Sequence, residues 1–179
     1  MKPNKKVLIL HGWGGSDFPH WQSWLACELA KEYGTVSFFK FSNPDAPKLD
    51  MWKRELIEHL SDFKPDILLC HSLANILWLH LCHDEKIQEL QKLYLVAPPS
   101  LSCDIEELES FFPVLVPKRL YAKETLLITS TNDPYMCVEE AEDLQKKLGV
   151  KMKVLQDAGH VNAQSGYGKW EWILQEIQK

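Results

Sequence analysis

Apolar residues fall along this chain in two alternating rhythms. Short runs at 6–10, 36–41, 67–70, 93–96, 126–129 and 151–155 are rich in Val, Ile, Leu and Phe and lack strict polar alternation. Strands covered on both faces have that composition. Between them, large apolar residues recur every three or four positions: Trp21, Trp24, Leu25 and Leu29; Trp52, Leu56 and Leu60; Ala141, Leu144 and Leu148; Trp170, Ile173, Leu174 and Ile177. That spacing lines one face of a helix, and 75–83 reads as a further helix. Strand and helix in alternation predict βαβ units with right-handed crossovers, hence an α/β fold with helices on both faces of a parallel sheet.

One stretch breaks the alternation. Residues 98–118 carry four prolines (Pro98, Pro99, Pro113, Pro117), an acidic patch at 104–109, and the pair Phe111-Phe112. This is too irregular for a sheet layer and too apolar for a linker, so it reads as an excursion above the sheet edge with a short helix from Asp104. Two readings stay open for it: a lid over a pocket, or a surface loop that buries two Phe.

Composition narrows the picture. The 179 residues suit one domain spanning 1–179, and 45% hydrophobic with 25% charged residues is an ordinary globular mixture. The net charge of -5, with scattered basic residues whose densest group is Lys2, Lys5 and Lys6, offers no surface for a phosphate backbone, so no nucleic-acid partner is expected. The stretch 67–83 lacks Asp, Glu, Lys and Arg up to its end but contains His71, Ser72, Asn75 and His80, a poor membrane span. The apolar run after Lys5 and Lys6 is too short for a signal peptide. Five cysteines (Cys27, Cys70, Cys82, Cys103, Cys137) form no C-x-x-C pair and read as reduced thiols, which points to the cytoplasm.

The strand ending at Cys70 runs into His71-Ser72-Leu73-Ala74 and then a helix. A serine at such a turn has the geometry of a nucleophile elbow, whose usual pattern is G-x-S-x-G because strand and helix backbones nearly touch there. Here Cys70 and Ala74 replace the glycines, and both are small. A serine hydroxyl needs a base within hydrogen-bond reach, itself oriented by a third group. Asp133 follows the run at 126–129 and His160 follows that at 151–155, so nucleophile, acid and base come in the order Ser, Asp, His, each just past a separate strand. Asp157, three residues before His160, is a rival acid. The loop His11-Gly12-Trp13-Gly14-Gly15 after the first strand suits an oxyanion hole, with backbone N–H groups of Trp13 and Leu73 as the donors. Its spacing matches neither a dinucleotide fingerprint nor a P-loop.

These features together resemble the small α/β-hydrolase serine hydrolases that include retinoblastoma-binding protein nine and its bacterial relatives. The likeness rests on His11–Gly15 with His20-Trp21, Asn43-Pro44-Asp45-Ala46-Pro47 with Trp52, His71-Ser72-Leu73, Leu95-Val96-Ala97-Pro98, Asn132-Asp133-Pro134-Tyr135, and the segment 159–168. The resemblance implies a three-layer fold around a minimal sheet of about six strands in the order 2-1-3-4-5-6. It makes Ser72 the nucleophile, His160 the base and Asp133 the acid. It does not extend to the retinoblastoma protein as partner. Leu25-Ala26-Cys27-Glu28-Leu29 and Leu101-Ser102-Cys103-Asp104-Ile105 both lack the last residue of L-x-C-x-E.

The expected activity is hydrolysis of a small ester or amide through an acyl-enzyme, without cofactor or metal. His80 and His83 lie at helical spacing but lack the further ligands of a metal site. The substrate pocket is expected to draw on Trp13, His71, Phe111, Phe112 and Tyr135. Trp21, Trp24, Trp52, Trp78 and Trp170 read as core. A silent hydrolase scaffold that binds a protein or ligand remains the alternative, favoured only by the altered elbow, and lyase or haloperoxidase chemistry also fits the three residues.

Overall fold

A computed structural model of the chain describes residues 5–31, 35–84 and 87–179; Lys2 of the N-terminal basic group lies outside them. Six strands, β1 (Lys6–Leu10), β2 (Thr35–Phe39), β3 (Ile67–His71), β4 (Leu90–Val96), β5 (Ala122–Ser130) and β6 (Lys151–Leu155), form one sheet. Its order is β2-β1-β3-β4-β5-β6, and every neighbouring pair is parallel. Five helices intervene: α1 (Trp21–Lys31), α2 (Leu49–Phe63), α3 (Leu73–Asp84), α4 (Val138–Leu148) and α5 (Glu171–Gln178).

The continuous apolar runs feed two cores, because successive strand residues point to opposite faces. Leu8, Leu10, Leu68, Cys70, Leu93, Leu95 and Leu127 face α2 and α3, where Trp52, Leu56, Leu77 and Trp78 cover them. Val7, Ile9, Ile67, Leu69, Tyr94, Val96 and Ile128 face α1 and α5, meeting Trp21, Leu25, Ile173 and Ile177. Helix α4 adds Ala141 and Leu144 over Met152. The result is the three-layer α/β-hydrolase architecture. Among the described residues no helix is long and apolar enough to cross a membrane.

Element ends depart from the sequence pattern for identifiable reasons. Strand β2 stops at Phe39, and Phe41 turns inward: its N–H donates to His11 Nε2 at 2.9 Å and its ring stacks on Trp52 at 4.4 Å. Strands β4 and β5 begin earlier than their apolar runs, since Leu90 pairs with Ala122 and Lys92 with Glu124 at the sheet's open end. Helix α3 starts at Leu73, directly from the turn at Ser72.

Between β4 and β5 the chain forms a short 3-10 helix, Glu106–Phe111. Here the expected pocket lining is corrected. Phe111 is fully buried against Trp52, ring centroids 5.5 Å apart, and Phe112 packs on the same core, so neither ring lines the pocket. Cys103, Ile105 and Leu108 from this segment form that wall instead. The short helix puts its apolar side down: burying a Phe ring gains more than leaving it at an open cleft. His80 Nε2 contributes, donating to the Phe111 carbonyl at 2.8 Å. Phe111→Ala is therefore expected to lower unfolding stability by about 3–5 kcal/mol in urea titration. A loss under about 1 kcal/mol would place this ring outside the core.

Candidate active site

The carboxyl ends of the strands meet around Ser72. Its backbone is left-handed, φ 53°, a conformation that costs a non-glycine residue about 1–2 kcal/mol and is maintained only by surrounding structure. The restraints are visible. Ser72 N–H donates to the Val96 carbonyl at 3.0 Å, and the Asn75 amide donates to the carbonyls of Ser72 and Val96 at 2.8 and 2.9 Å. Cys70 and Ala74, in the usual glycine positions, are both fully buried, so the turn accommodates a Cβ at each. The close approach lies elsewhere. A Cβ on Gly12 would sit 2.6 Å from the Ser72 Cβ and 3.1 Å from the Leu73 nitrogen. Glycine at 12 thus lets the first loop lie against the elbow at Ser72 and Leu73. Leu73 opens α3, where N–H groups lack intrahelical acceptors.

The three triad candidates come together. Ser72 Oγ lies 2.9 Å from His160 Nε2, and His160 Nδ1 lies 2.9 and 3.0 Å from the two Asp133 carboxylate oxygens. Nδ1 faces only acceptors and so carries the hydrogen, leaving Nε2 to accept from the serine hydroxyl. Asp133 also accepts from Tyr135 N–H at 2.9 Å. The rival Asp157 points away: it is exposed, with its N–H bound to Thr131 Oγ1.

Three polar residues before Asp133, of which the sequence singled out only Asn132 and only as part of a motif, join the Asp133 and His160 loops. Asn132 Oδ1 accepts from Gly159 N–H at 2.7 Å, Ser130 Oγ from Ala158 N–H at 2.9 Å, and Thr131 Oγ1 from Asp157 N–H at 2.9 Å. Two further donors reach the His160 loop from beneath: Trp21 Nε1 to the Val161 carbonyl at 2.8 Å and His71 Nε2 to the His160 carbonyl at 3.0 Å. The first loop is held likewise. His11 Nδ1 donates to the Gly12 carbonyl at 2.7 Å, Gly14 N–H to the Pro44 carbonyl at 2.9 Å, and Trp13 Nε1 to the Asp45 carbonyl at 3.1 Å. The Asn-Pro-Asp segment is a brace for this loop.

A cleft of about 360 Å³ opens over Ser72. Trp13, His71, Leu73 and Tyr135 line it, and the Tyr135 ring stands edge-on to His160 at 4.6 Å. Its far wall includes Ser16 and His20, unremarked in the sequence except as part of a motif. A larger cleft, about 490 Å³, lies between the starts of β4, β5 and β6, away from this chemistry. Among the described residues no group of His, Cys, Asp and Glu could hold a metal ion.

The fold and this site define an α/β hydrolase, and the comparisons agree. A family model described as serine hydrolase matches residues 7–179. The chain belongs to that family. It superposes on the ydeN gene product of B. subtilis with TM-score 0.84 and 21% identity, over 97% of each chain. A YdeN-like hydrolase from Pectobacterium atrosepticum gives TM-score 0.78 at 24% identity, over 96% of this chain and 88% of that one. An esterase from Pyrococcus furiosus gives 0.62 at 18%, over 98% and 80%. No curated protein matches the chain by sequence.

Burial holds three histidines around the site neutral. It lowers His20 to about 4, aided by the charges of His160 and His11, and drives His71 well below the usual range. Burial lowers His11 as well. In the unfolded chain each titrates near 6.5. Below that pH the unfolded chain takes up protons that the folded one refuses. Their contribution is therefore present above pH 6.5 and declines as pH falls below it, for His20 down to about pH 4. For His20 alone the loss at pH 5 is about 2 kcal/mol. Urea unfolding at pH 7 and pH 5 should show a lower midpoint at pH 5, with a smaller drop in His20→Asn; an unchanged midpoint would contradict the buried neutral state.

Proposed function

We propose that this serine hydrolase cleaves a small ester or amide through an acyl-enzyme, with Ser72 as nucleophile, His160 as base and Asp133 as its orienting acid. The observation that carries the reading is the unbroken contact Ser72 Oγ, His160, Asp133, with both links at 2.9 Å. Ser72 Oγ bonds to the carbonyl carbon while its proton passes to His160 Nε2. The carbonyl oxygen becomes an oxyanion and accepts from the Trp13 and Leu73 N–H groups, each contact contributing on the order of 3 kcal/mol to the transition state. His160 returns the proton to the leaving oxygen or nitrogen as its bond to carbon breaks. A water then gives a proton to His160 and attacks the acyl carbon, and the Oγ–carbon bond breaks as Ser72 regains its proton. Asp133 keeps Nδ1 protonated and stabilises the imidazolium between these steps.

An ester is the favoured first substrate, because the mouth, bordered by the half-exposed Trp13 and Tyr135, admits a planar or apolar leaving group. The five free thiols, Cys27, Cys70, Cys82, Cys103 and Cys137, support a reducing cytoplasmic setting.

para-Nitrophenyl acetate should give a burst of nitrophenol of about one equivalent per chain before the steady rate, the kinetic mark of acyl-enzyme accumulation. Ser72→Ala should abolish the burst and lower kcat/KM about 10⁴-fold. Turnover that survives in Ser72→Ala would reject the assignment, and no turnover in the folded wild type would leave a binding scaffold.

A further inference from the structure

The catalytic account leaves the far wall of the cleft unused, and its chemistry is specific. His20 is 6% exposed and caps α1: its Nδ1 accepts the N–H of Gln22 at 3.2 Å. An acceptor Nδ1 on a neutral ring fixes the hydrogen on Nε2. Burial keeps the ring neutral through the physiological range. The ring lies edge-to-face with His71, centroids 4.9 Å apart, and His71 in turn lies 5.2 Å from His160. His20 therefore stands beyond His71 as seen from His160, and all three line the cleft. Ser16, 4% exposed, lines the same cleft, and its Oγ has no hydrogen-bond partner among the described residues. A buried hydroxyl left unpaired costs about 1–3 kcal/mol, so such groups are ordinarily satisfied by protein, water or ligand. Among the described residues the sole formal charge on the lining is Asp17, exposed and paired to Lys40 at 3.3 Å, and no Lys or Arg lines the cleft.

We infer that Ser16 Oγ and His20 Nε2 form an acceptor subsite, which selects substrates carrying a second, uncharged oxygen acceptor a few bonds from the scissile carbonyl. The inference rests on the hydrolase reading and names the substrate class it acts on. Two neutral donors match a ketone, ether or amide oxygen. A carboxylate would meet the same donors with no cation to offset its desolvation and with Asp17 at the rim, so it is disfavoured. A purely apolar acyl chain would leave both donors unpaired, which is where a hydrogen-bonding site discriminates most.

Three ethyl esters of nearly equal shape separate these cases: ethyl levulinate (ketone), monoethyl succinate (carboxylate) and ethyl isocaproate (branched alkyl), followed by ethanol release. Wild type should favour levulinate over each of the others by at least about tenfold in kcat/KM. His20→Asn retains a capping side chain for α1 but withdraws the ring from the cleft. It should reduce the levulinate-to-isocaproate ratio about tenfold, as should Ser16→Ala. Ser16→Ala should also leave the thermal midpoint unchanged or raise it, because an unpaired hydroxyl is removed; a hydroxyl that served only the fold would lower it. Equal rates on the three esters, a ratio unmoved by both variants, or succinate as the best substrate would each overturn the subsite. para-Nitrophenyl acetate is the control: its turnover without discrimination among the esters rejects the subsite alone, whereas its failure rejects the hydrolase reading and the subsite with it.

Discussion

The site depends on one constraint, the left-handed backbone of Ser72 between a strand and a helix that are both buried. A serine in that conformation relaxes unless its flanking peptides are fixed, and the chain fixes them from three directions. The Val96 carbonyl at the end of β4 accepts from both Ser72 and Asn75. Gly12 brings the first loop within the space a methyl group would need. Helix α3 starts on the next residue and carries its apolar surface into the sheet. The hydroxyl that emerges is stored at a cost repaid by the surrounding packing, and it meets His160 without further movement.

The polar layer beneath the site is built from neutral imidazoles and amides rather than ions. His11, His20 and His71 each hold a backbone group of a different segment: the Gly12 carbonyl, the Gln22 N–H in the first turn of α1 and the His160 carbonyl. A charged group buried there would require a partner and additional hydrogen bonds, whereas an imidazole can donate at one nitrogen and accept at the other. His11 does both, donating to Gly12 and accepting from Phe41. The same neutrality that stabilises these segments makes them sensitive to acid, and among the described residues the cleft over Ser72 is lined by no Lys or Arg.

Much of this was legible in the chain. Continuous apolar runs without polar alternation implied a sheet covered on both faces, because such strands have no solvent side to mark with polar residues. The order of strands came from family resemblance, since spacing alone does not say which strands are neighbours. Residues at strand ends could be placed beside one another because parallel strands bring their carboxyl ends to one edge. Phe111 was misplaced because a 3-10 helix has no amphipathic period long enough to show which way an aromatic pair faces. Nothing local marks the side-chain acceptors of Ser130, Thr131 and Asn132 as partners of N–H groups more than twenty-five residues on. Ser16 and His20 were overlooked for the same reason: their significance is a shared cleft, not a spacing.

Covalent capture decides whether Ser72 is an activated nucleophile. The folded protein, incubated with a fluorophosphonate and digested, should carry one adduct on the peptide containing Ser72, and neither Ser72→Ala nor His160→Ala should be labelled at neutral pH. An adduct on another residue, or an unlabelled Ser72 in a protein that remains folded, would contradict that assignment.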